Sequence, residues 1–482
     1  EWRNPLMDLV TEIPQQIKLP TLQKRNIQNL KNIEDIKKHS SEKGLKNHFD
    51  SQGITNVTSI KNGVICCQDG TYVRILEVMP LNYYQKDNIE KNKITESFLH
   101  LFKTCPNNIH IKSRTEKADT YAIVNTIREN YKKENNPKLA QRAEEYIEHI
   151  LSLQNENTID KRFYVIFQYE GENGKYSRDF KDIFISLRRT EIDLRSKLIS
   201  SGNLVVNPKD INFHVCEILY KFYNPISCTK EPLITRVNRI QADYKRTPEV
   251  IGMPKEADFI APRGLSSKVT KDWILMDGMY HTWLVLKDNA YPPLVQTGWL
   301  DNIPIDLGVD IDIYAKRCDR GTVESGLKQL RKYKYSSYNA NRTNYDKAET
   351  ISKEIQNAEY IKSVMSNFDE DLFNVEIIIT VRAETFAEMQ DIKDGIQKHL
   401  EGLSIYTSTS FLAAHEFLKC VAPDMYNNKS FFKKYSHNFL TRNMAQLYPF
   451  TSMSLYDNEG YVVGRNVQGN SLVSFNNFNT DL

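Results

Sequence analysis

Val64-Ile-Cys-Cys67, Asp69-Gly70 and Tyr72-Val-Arg-Ile-Leu-Glu-Val78 read together as a β-hairpin. Two runs rich in β-branched and apolar residues flank an Asp-Gly pair, a pair that tolerates the positive φ of a tight turn. Downstream, Ile94, Phe98, Leu101, Phe102 and Cys105 share one face of a predicted helix. The pattern then gives a short strand at Ile109–Ile111, a helical stretch to Leu153 and a strand at Phe163–Tyr169. A helix striped by Ile183, Leu187, Leu194 and Leu198 comes next, followed by Leu204-Val-Val206.

The same order then returns. Trp273-Ile-Leu-Met276, Asp277-Gly278 and Tyr280 to Leu286 form a second hairpin, and Asp-Gly-X-Tyr recurs 208 residues on, from Asp69 to Asp277. A strand at Val309–Tyr314 precedes long helices to about Met365, with Ala348, Ile351, Ile355, Ala358 and Ile361 at helical spacing. Val375–Val381 is the next strand, Thr385 and Glu388 open a helix in capping-box spacing, and Ile405 lies in a last strand. This order predicts an α+β chain of two ferredoxin-like (split βαβ) units with long helices. Identity between the copies is slight, so duplication and chance recurrence of a common motif both fit. The expected divisions are an extension at 1–48, with one helix near Leu22–Lys38, a first unit at 49–224, and a Pro-bearing linker at 225–262. A second unit at 263–425 and a final segment at 426–482 complete the chain.

Composition bounds the function. The 482 residues are too many for one ordinary core, and 40% hydrophobic with 26% charged residues is ordinary for a globular protein. A net charge of +3, from 64 basic and 61 acidic residues, gives no global pull toward nucleic acid. The longest apolar runs are strand-sized, far short of the roughly 20 residues of a spanning helix. The opening Glu1-Trp-Arg-Asn-Pro5 has no apolar signal core and no initiator Met, which suggests an excerpt of a longer protein. Seven cysteines without redox or zinc spacing read as reduced, buried thiols of a cytosolic protein.

Three stretches invite chemistry. Gly171-Glu-Asn-Gly174-Lys175-Tyr-Ser177 has a Gly-Lys pair after a strand. A phosphate loop needs four residues between its glycines and Ser or Thr directly after Lys, so this reads as a polar loop, and no such motif occurs in the sequence. Asp306, Asp310 and Asp312 surround an alternating strand. Asp310 and Asp312 could pair on a metal but read as the solvated side of a half-buried strand. Arg331, Lys332, Lys334, Tyr335, Tyr338, Arg342, Tyr345 and Lys347 interleave basic and aromatic side chains, as do Phe431 to Tyr435 with His437 and Arg442. Such stretches could stack bases and pair phosphates, or be ordinary helix surface or subunit contact. No catalytic, cofactor-binding or metal-binding residue is singled out.

Several segments taken in order resemble a known family. They are Tyr220-Lys-Phe-Tyr-Asn-Pro225, Asp258-Phe-Ile-Ala-Pro262, Asp277-Gly-Met-Tyr280 and Tyr291-Pro-Pro-Leu-Val-Gln-Thr-Gly-Trp-Leu300. Near the end come Leu447-Tyr-Pro-Phe450, Asp457-Asn-Glu-Gly460, Gly464-Arg-Asn466 and Leu472-Val-Ser-Phe475-Asn-Asn-Phe478. Each is short and degenerate, and their shared order carries the signal. This order resembles the region before the ATP-binding loop in the TraC/TrbE/CagE-type (VirB-family) ATPases of conjugation and type IV secretion.

The resemblance implies that residues 426–482 supply the first strands of a RecA-like domain, with its Walker A loop expected just beyond Leu482. It implies a full-length protein that uses ATP and Mg, is cytoplasmic and peripheral at the inner face of the cell membrane, and powers DNA or protein export. This portion would dock on inner-membrane type IV secretion channel components and self-associate. Nucleic-acid contact through Arg331, Lys332, Lys334, Tyr335 and Arg342 is a further candidate. The alternative is a stand-alone structural or nucleic-acid-binding α+β module.

Overall fold

The computed structural model describes Thr11–Glu12 and residues 55–475, except 118–119, 133–135, 155–158, 172–176, 178, 247–252, 267–271, 288–293, 296, 305–307, 342, 344, 410–412, 426–433, 453–459 and 467–470. The helix expected near Leu22–Lys38 lies outside these residues. After the two-residue strand Thr11–Glu12, three strands open the main sheet: β1 (Val57–Lys61), β2 (Val64–Cys67) and β3 (Tyr72–Val78). Asn62 and Gly63 both hold positive φ between β1 and β2, the conformation that a two-residue turn of matching twist needs. This Asn-Gly turn and β1 itself are additions to the hairpin read from sequence.

The first unit continues with α1 (Asn88–Thr104), β4 (Asn108–Lys117), the helical pair α2 (Thr120–Tyr131) and α3 (Pro137–Gln154), β5 (Ile159–Gln168) and α4 (Phe180–Ser200). Asp87 caps α1 in a full capping box with Glu90. After α5 (Ile211–Tyr223) and a short turn at Ser227–Lys230 come α6 (Leu233–Arg246) and α7 (Glu256–Ile260). The second unit is β6 (Trp273–Met276), β7 (Met279–Leu286), β8 (Val309–Arg317), the helical pair α8 (Arg320–Ala340) and α9 (Tyr345–Phe368), β9 (Leu372–Ala383), α10 (Phe386–Gly402) and β10 (Thr407–Thr409). Then follow α11 (Ala414–Val421), β11 (His437–Leu440), α12 (Thr441–Gln446), β12 (Tyr461–Arg465) and β13 (Leu472–Phe475).

The fold is α+β, and one antiparallel sheet runs through both units in the order β10-β7-β9-β8-β4-β5-β3-β2-β1. β6 also pairs with β7, and β11 with β9. The triplets β3-β5-β4 and β7-β9-β8 repeat one order and meet through the antiparallel β4–β8 ladder, so they face each other across an approximate two-fold seam. Each unit carries a helical hairpin between its last two long strands. The copies depart from each other where α1 has no counterpart: between β7 and β8 the described residues hold no α-helix, but a two-residue strand, Leu294–Val295, paired with Thr11–Glu12, and a 3₁₀ turn, Trp299–Asn302. The two Asp-Gly turns also differ. Asp277 and Gly278 form a two-residue turn with positive φ at both, whereas Asp69-Gly70 lies in a four-residue loop that Cys67 N–H closes onto Thr71 C=O.

Alternation along the strands sorts side chains to two faces. On one, Ile109, Ile111, Phe163, Val165, Ile311, Ile313, Ile377 and Ile379 pack under α1, α4, α10 and α12. On the other, Tyr164, Ile166, Trp283, Val285 and Ile378 pack under α5, α7 and α11. At about 25 cal/mol per Å² of apolar surface removed from water, these two layers are the main source of stability. Thr385 accepts from Glu388 N–H at 3.2 Å, so α10 opens where its capping signal stands.

Candidate functional site

Three of the segments that carry the resemblance meet under α5 through two buried polar side chains. Asn224 is fully buried at the end of α5. Its amide donates to the Ile260 carbonyl at 2.9 Å and the Tyr220 carbonyl at 3.2 Å. Its oxygen accepts from Arg236 Nη1 and from Arg263 N–H, both at 3.1 Å. Arg236 also donates to the Ala261 carbonyl at 2.6 Å, closing a ring among 220–225, α6 and 258–263. Asp277, at its turn, accepts from Ile226 N–H at 2.9 Å and Ser227 N–H at 2.6 Å. Buried amides and carbonyls left unpaired would cost about 1–3 kcal/mol each, so these contacts fix how 220–227, 258–263 and the turn at 277–278 fold against one another. Arg236 escaped the reading of the sequence, since nothing in its local pattern separates it from a surface helix arginine.

Two further resembling segments meet on the apolar face. Trp299 and Leu300 pack with Tyr448 and Phe450 in the core that lies over Phe98 and Phe163. Tyr448 and Phe450 stand edge-on to Phe98, with centroids 5.2 and 5.8 Å away. Gly298 N–H donates to the Gln446 carbonyl at 3.2 Å, and Thr451 donates to both oxygens of Asp301 at 3.0 Å. Tyr84 also donates to Asp301. Tyr291–Pro293, Gln296, Asp457–Glu459 and residues beyond Phe475 lie outside the described residues.

The aspartates expected on a solvated strand face are buried instead. Asp310 and Asp312 of β8 face α5 and α11, and they are 1% and 0% exposed. Lys112 Nζ donates to both oxygens of Asp312, at 2.9 and 3.0 Å, and to the Val421 carbonyl at 3.1 Å. His110 Nε2 lies 2.7 Å from Asp312, and its ring stacks on Tyr314 at 4.0 Å between centroids. Asp310 accepts from Thr115 N–H at 3.0 Å and pairs with Arg382 at 2.8 Å. The alternation holds, but helices cover the polar face, and cations from β4 and β9 complete it. No cluster of three His, Cys, Asp or Glu suited to a metal occurs among the described residues.

Burial disfavours ionised Asp310, but Arg382, Lys112 and Arg114 outweigh it and hold its pKa below the usual carboxylate range. Burial also lowers the pKa of His110, beyond what Asp312 restores, so the imidazole is neutral and donates Nε2–H to Asp312. Glu376 of β9 is fully buried, neither oxygen has a partner among the described residues, and burial alone raises its pKa well above the ordinary value. This carboxyl therefore keeps its proton to higher pH than an exposed glutamate does. The thiols follow the same rule: burial pushes Cys105 up to about 11 and Cys216 up to about 12, far from a reactive thiolate.

The basic and aromatic stretch lies on the α8–α9 hairpin, where α9 answers much of its charge. Arg331 pairs with Glu359 at 3.9 Å, Lys334 pairs with Glu354, and Tyr335 donates to Glu359 at 3.1 Å. Lys332 and Tyr333 point to solvent, and Arg342 lies outside the described residues. In the second stretch His437 is buried in β11 and Arg442 pairs with Glu370. Phe431–Lys433, Asp306 and Gly174–Tyr176 lie outside the described residues. No helix among the described residues is long and apolar enough to cross a membrane.

Residues 58–182 match the family model of the archaeal TraC-like domain. The matched interval runs from within β1 to the first turn of α4, which is the first unit nearly whole. A TraC-family relationship is supported. The match covers the unit whose architecture the second half repeats, and it suggests a family connected with conjugation or secretion. No curated protein matches the chain.

Proposed function

We propose that this chain is the docking and oligomerisation region of a TraC-family ATPase of type IV secretion or conjugative transfer. The observation that carries the reading is the match of residues 58–182 to the archaeal TraC-like domain. The order of the resembling segments supports it. Asn224, Asp277, Trp299 and Tyr448 bind those segments into one scaffold, as suits a region that presents a motor rather than performing chemistry. Residues 426–482 then lead into a RecA-like motor, where ATP and Mg would bind in the full-length protein. Docking would be to channel components at the inner face of the cell membrane, with DNA or protein as the cargo.

ATP binding and turnover, measured on this chain and on the chain with whatever its gene encodes beyond Leu482, test the proposal. Turnover confined to the longer protein, together with self-association of the present chain in sedimentation, is the expected result. Turnover by the present chain alone overturns the assignment of the nucleotide site. Absence of turnover from both makes a stand-alone structural module the better reading.

A further inference from the structure

The ribbon β12–β13 pairs with no other strand among the described residues. A two-stranded ribbon is marginal by itself in water, so its order rests on what it touches. Its inner face sets Val462 and Leu472 into a cluster with Val124, Ile147, Ile150 and Leu153 of the α2–α3 hairpin. Its outer face leaves Tyr461 and Val463 each 60% exposed. Tyr146 of α3 completes the contact. Its hydroxyl accepts from Val462 N–H at 2.6 Å and donates to the Val462 carbonyl at 3.1 Å. One side chain therefore supplies both of the backbone partners that a neighbouring strand would offer that residue.

We propose that β12–β13 is a strap latched onto α2–α3 by Tyr146, and that it lifts as a unit to uncover the apolar strip of Val124, Ile147, Ile150 and Leu153. Three observations favour release over permanent attachment. Only Val462 and Leu472 enter the cluster from the ribbon, whereas β5, β8 and β9 of the main sheet are paired along both edges over much of their length. The β12–β13 ladder is itself interrupted by a register shift between Val462 and Gly464, beside the latch. Val463 is largely exposed, and Tyr461, also largely exposed, reaches only the edge of the Tyr146 ring at 6.5 Å between centroids, so the ribbon leans chiefly on the α2–α3 hairpin among the described residues. Elements with few buried contacts open first, well before the global fold.

The proposal does not rest on the secretion reading, because its test is local. Amide hydrogen exchange is followed in the full chain for the wild type and Tyr146→Phe. The ribbon amides are expected to exchange faster than those of β8 and β9 in the wild type. Tyr146→Phe is expected to accelerate Val462 roughly tenfold while leaving β8 and β9 unchanged, as loss of one well-placed hydrogen-bonding hydroxyl implies. Leu472→Ala, which loosens the other anchor, is expected to speed the whole ribbon. It should also expose the Ile147 and Ile150 methyl groups to a soluble paramagnetic probe. Unchanged Val462 exchange in Tyr146→Phe overturns the latch. Ribbon amides as slow as those of β8, or methyl groups still shielded in Leu472→Ala, overturn the lifting strap.

Discussion

The two faces of the sheet at its seam are built from the same strands and obey opposite rules. Along β4 and β8, Ile109, Ile111, Ile311 and Ile313 point to one side and His110, Lys112, Asp310 and Asp312 to the other. Both sides are closed to water. The apolar side is held by area and shape, which tolerate small changes of volume. The polar side is held by pairing, and a charge deprived of its partner there has no water and only less direct ions to turn to. A strand that alternates apolar and charged residues therefore need not have a wet face.

The largest effect expected from this contrast is that of Asp312→Ala. Removing the carboxylate strands the Lys112 ammonium, whose remaining contacts are the Val421 carbonyl and the Phe222 ring at 5.1 Å. A loss of about 3–5 kcal/mol is the usual consequence of breaking one partner out of a buried pair. Urea unfolding midpoints with unchanged slope measure it. A loss below about 1 kcal/mol, the value of a solvated pair, would show that water reaches the seam.

Next in size is the rescue. Lys112→Met combined with Asp312→Leu replaces both charges by apolar side chains of similar bulk and should recover most of that loss, about 3 kcal/mol. His110 then loses its acceptor, which limits the recovery. A double variant as unstable as Asp312→Ala would mean that the pair specifies the joining of the two units and does more than neutralise itself.

Glu376 tests the polar face through pH. Its folded pKa is raised by burial, so the folded protein keeps this proton while the unfolded chain releases it near the ordinary carboxylate value of about 4.3. The stabilising contribution is therefore full below about pH 4.3 and is lost as pH rises toward the folded pKa. Glu376→Gln removes that titration. The variant should gain on the wild type as pH rises above about 4.3, by up to about 1.4 kcal/mol per pH unit while the folded carboxyl stays protonated. Parallel stability curves across that range would show an ionised or solvated Glu376.

Much of this architecture was legible because it is local. The hairpin at Val64–Val78, the stripe of Ile183, Leu187, Leu194 and Leu198, and the cap at Thr385 are each decided by neighbours within a turn or two. What failed to show was set by distant chain. The covering of Asp310 and Asp312 depends on α5 and α11, and their partners Lys112 and Arg382 lie 200 and 72 residues away. The candidate site was legible only as a list of resembling segments. Asn224 and Asp277 could be quoted from the sequence, but their roles appear only when 220–225, 258–263 and 277 are folded together. The Asn62-Gly63 turn is a different case: its signal is local and strong, and it stands beside an Asp-Gly pair that carries the same signal.

The smallest predicted effect makes the comparison sharpest. Ile311 neighbours both Asp310 and Asp312 on β8, is 4% exposed, and faces the apolar side. Ile311→Val removes one methylene from that packing and should cost about 0.5–1.5 kcal/mol. Since no titrating group acts through Ile311, the difference from the wild type should be the same at pH 4 and pH 7. A cost that instead changes with pH would mean that repacking on the apolar side shifts β8 enough to disturb Asp310 or Asp312. The two faces would then be one mechanical unit, coupled through the strand they share.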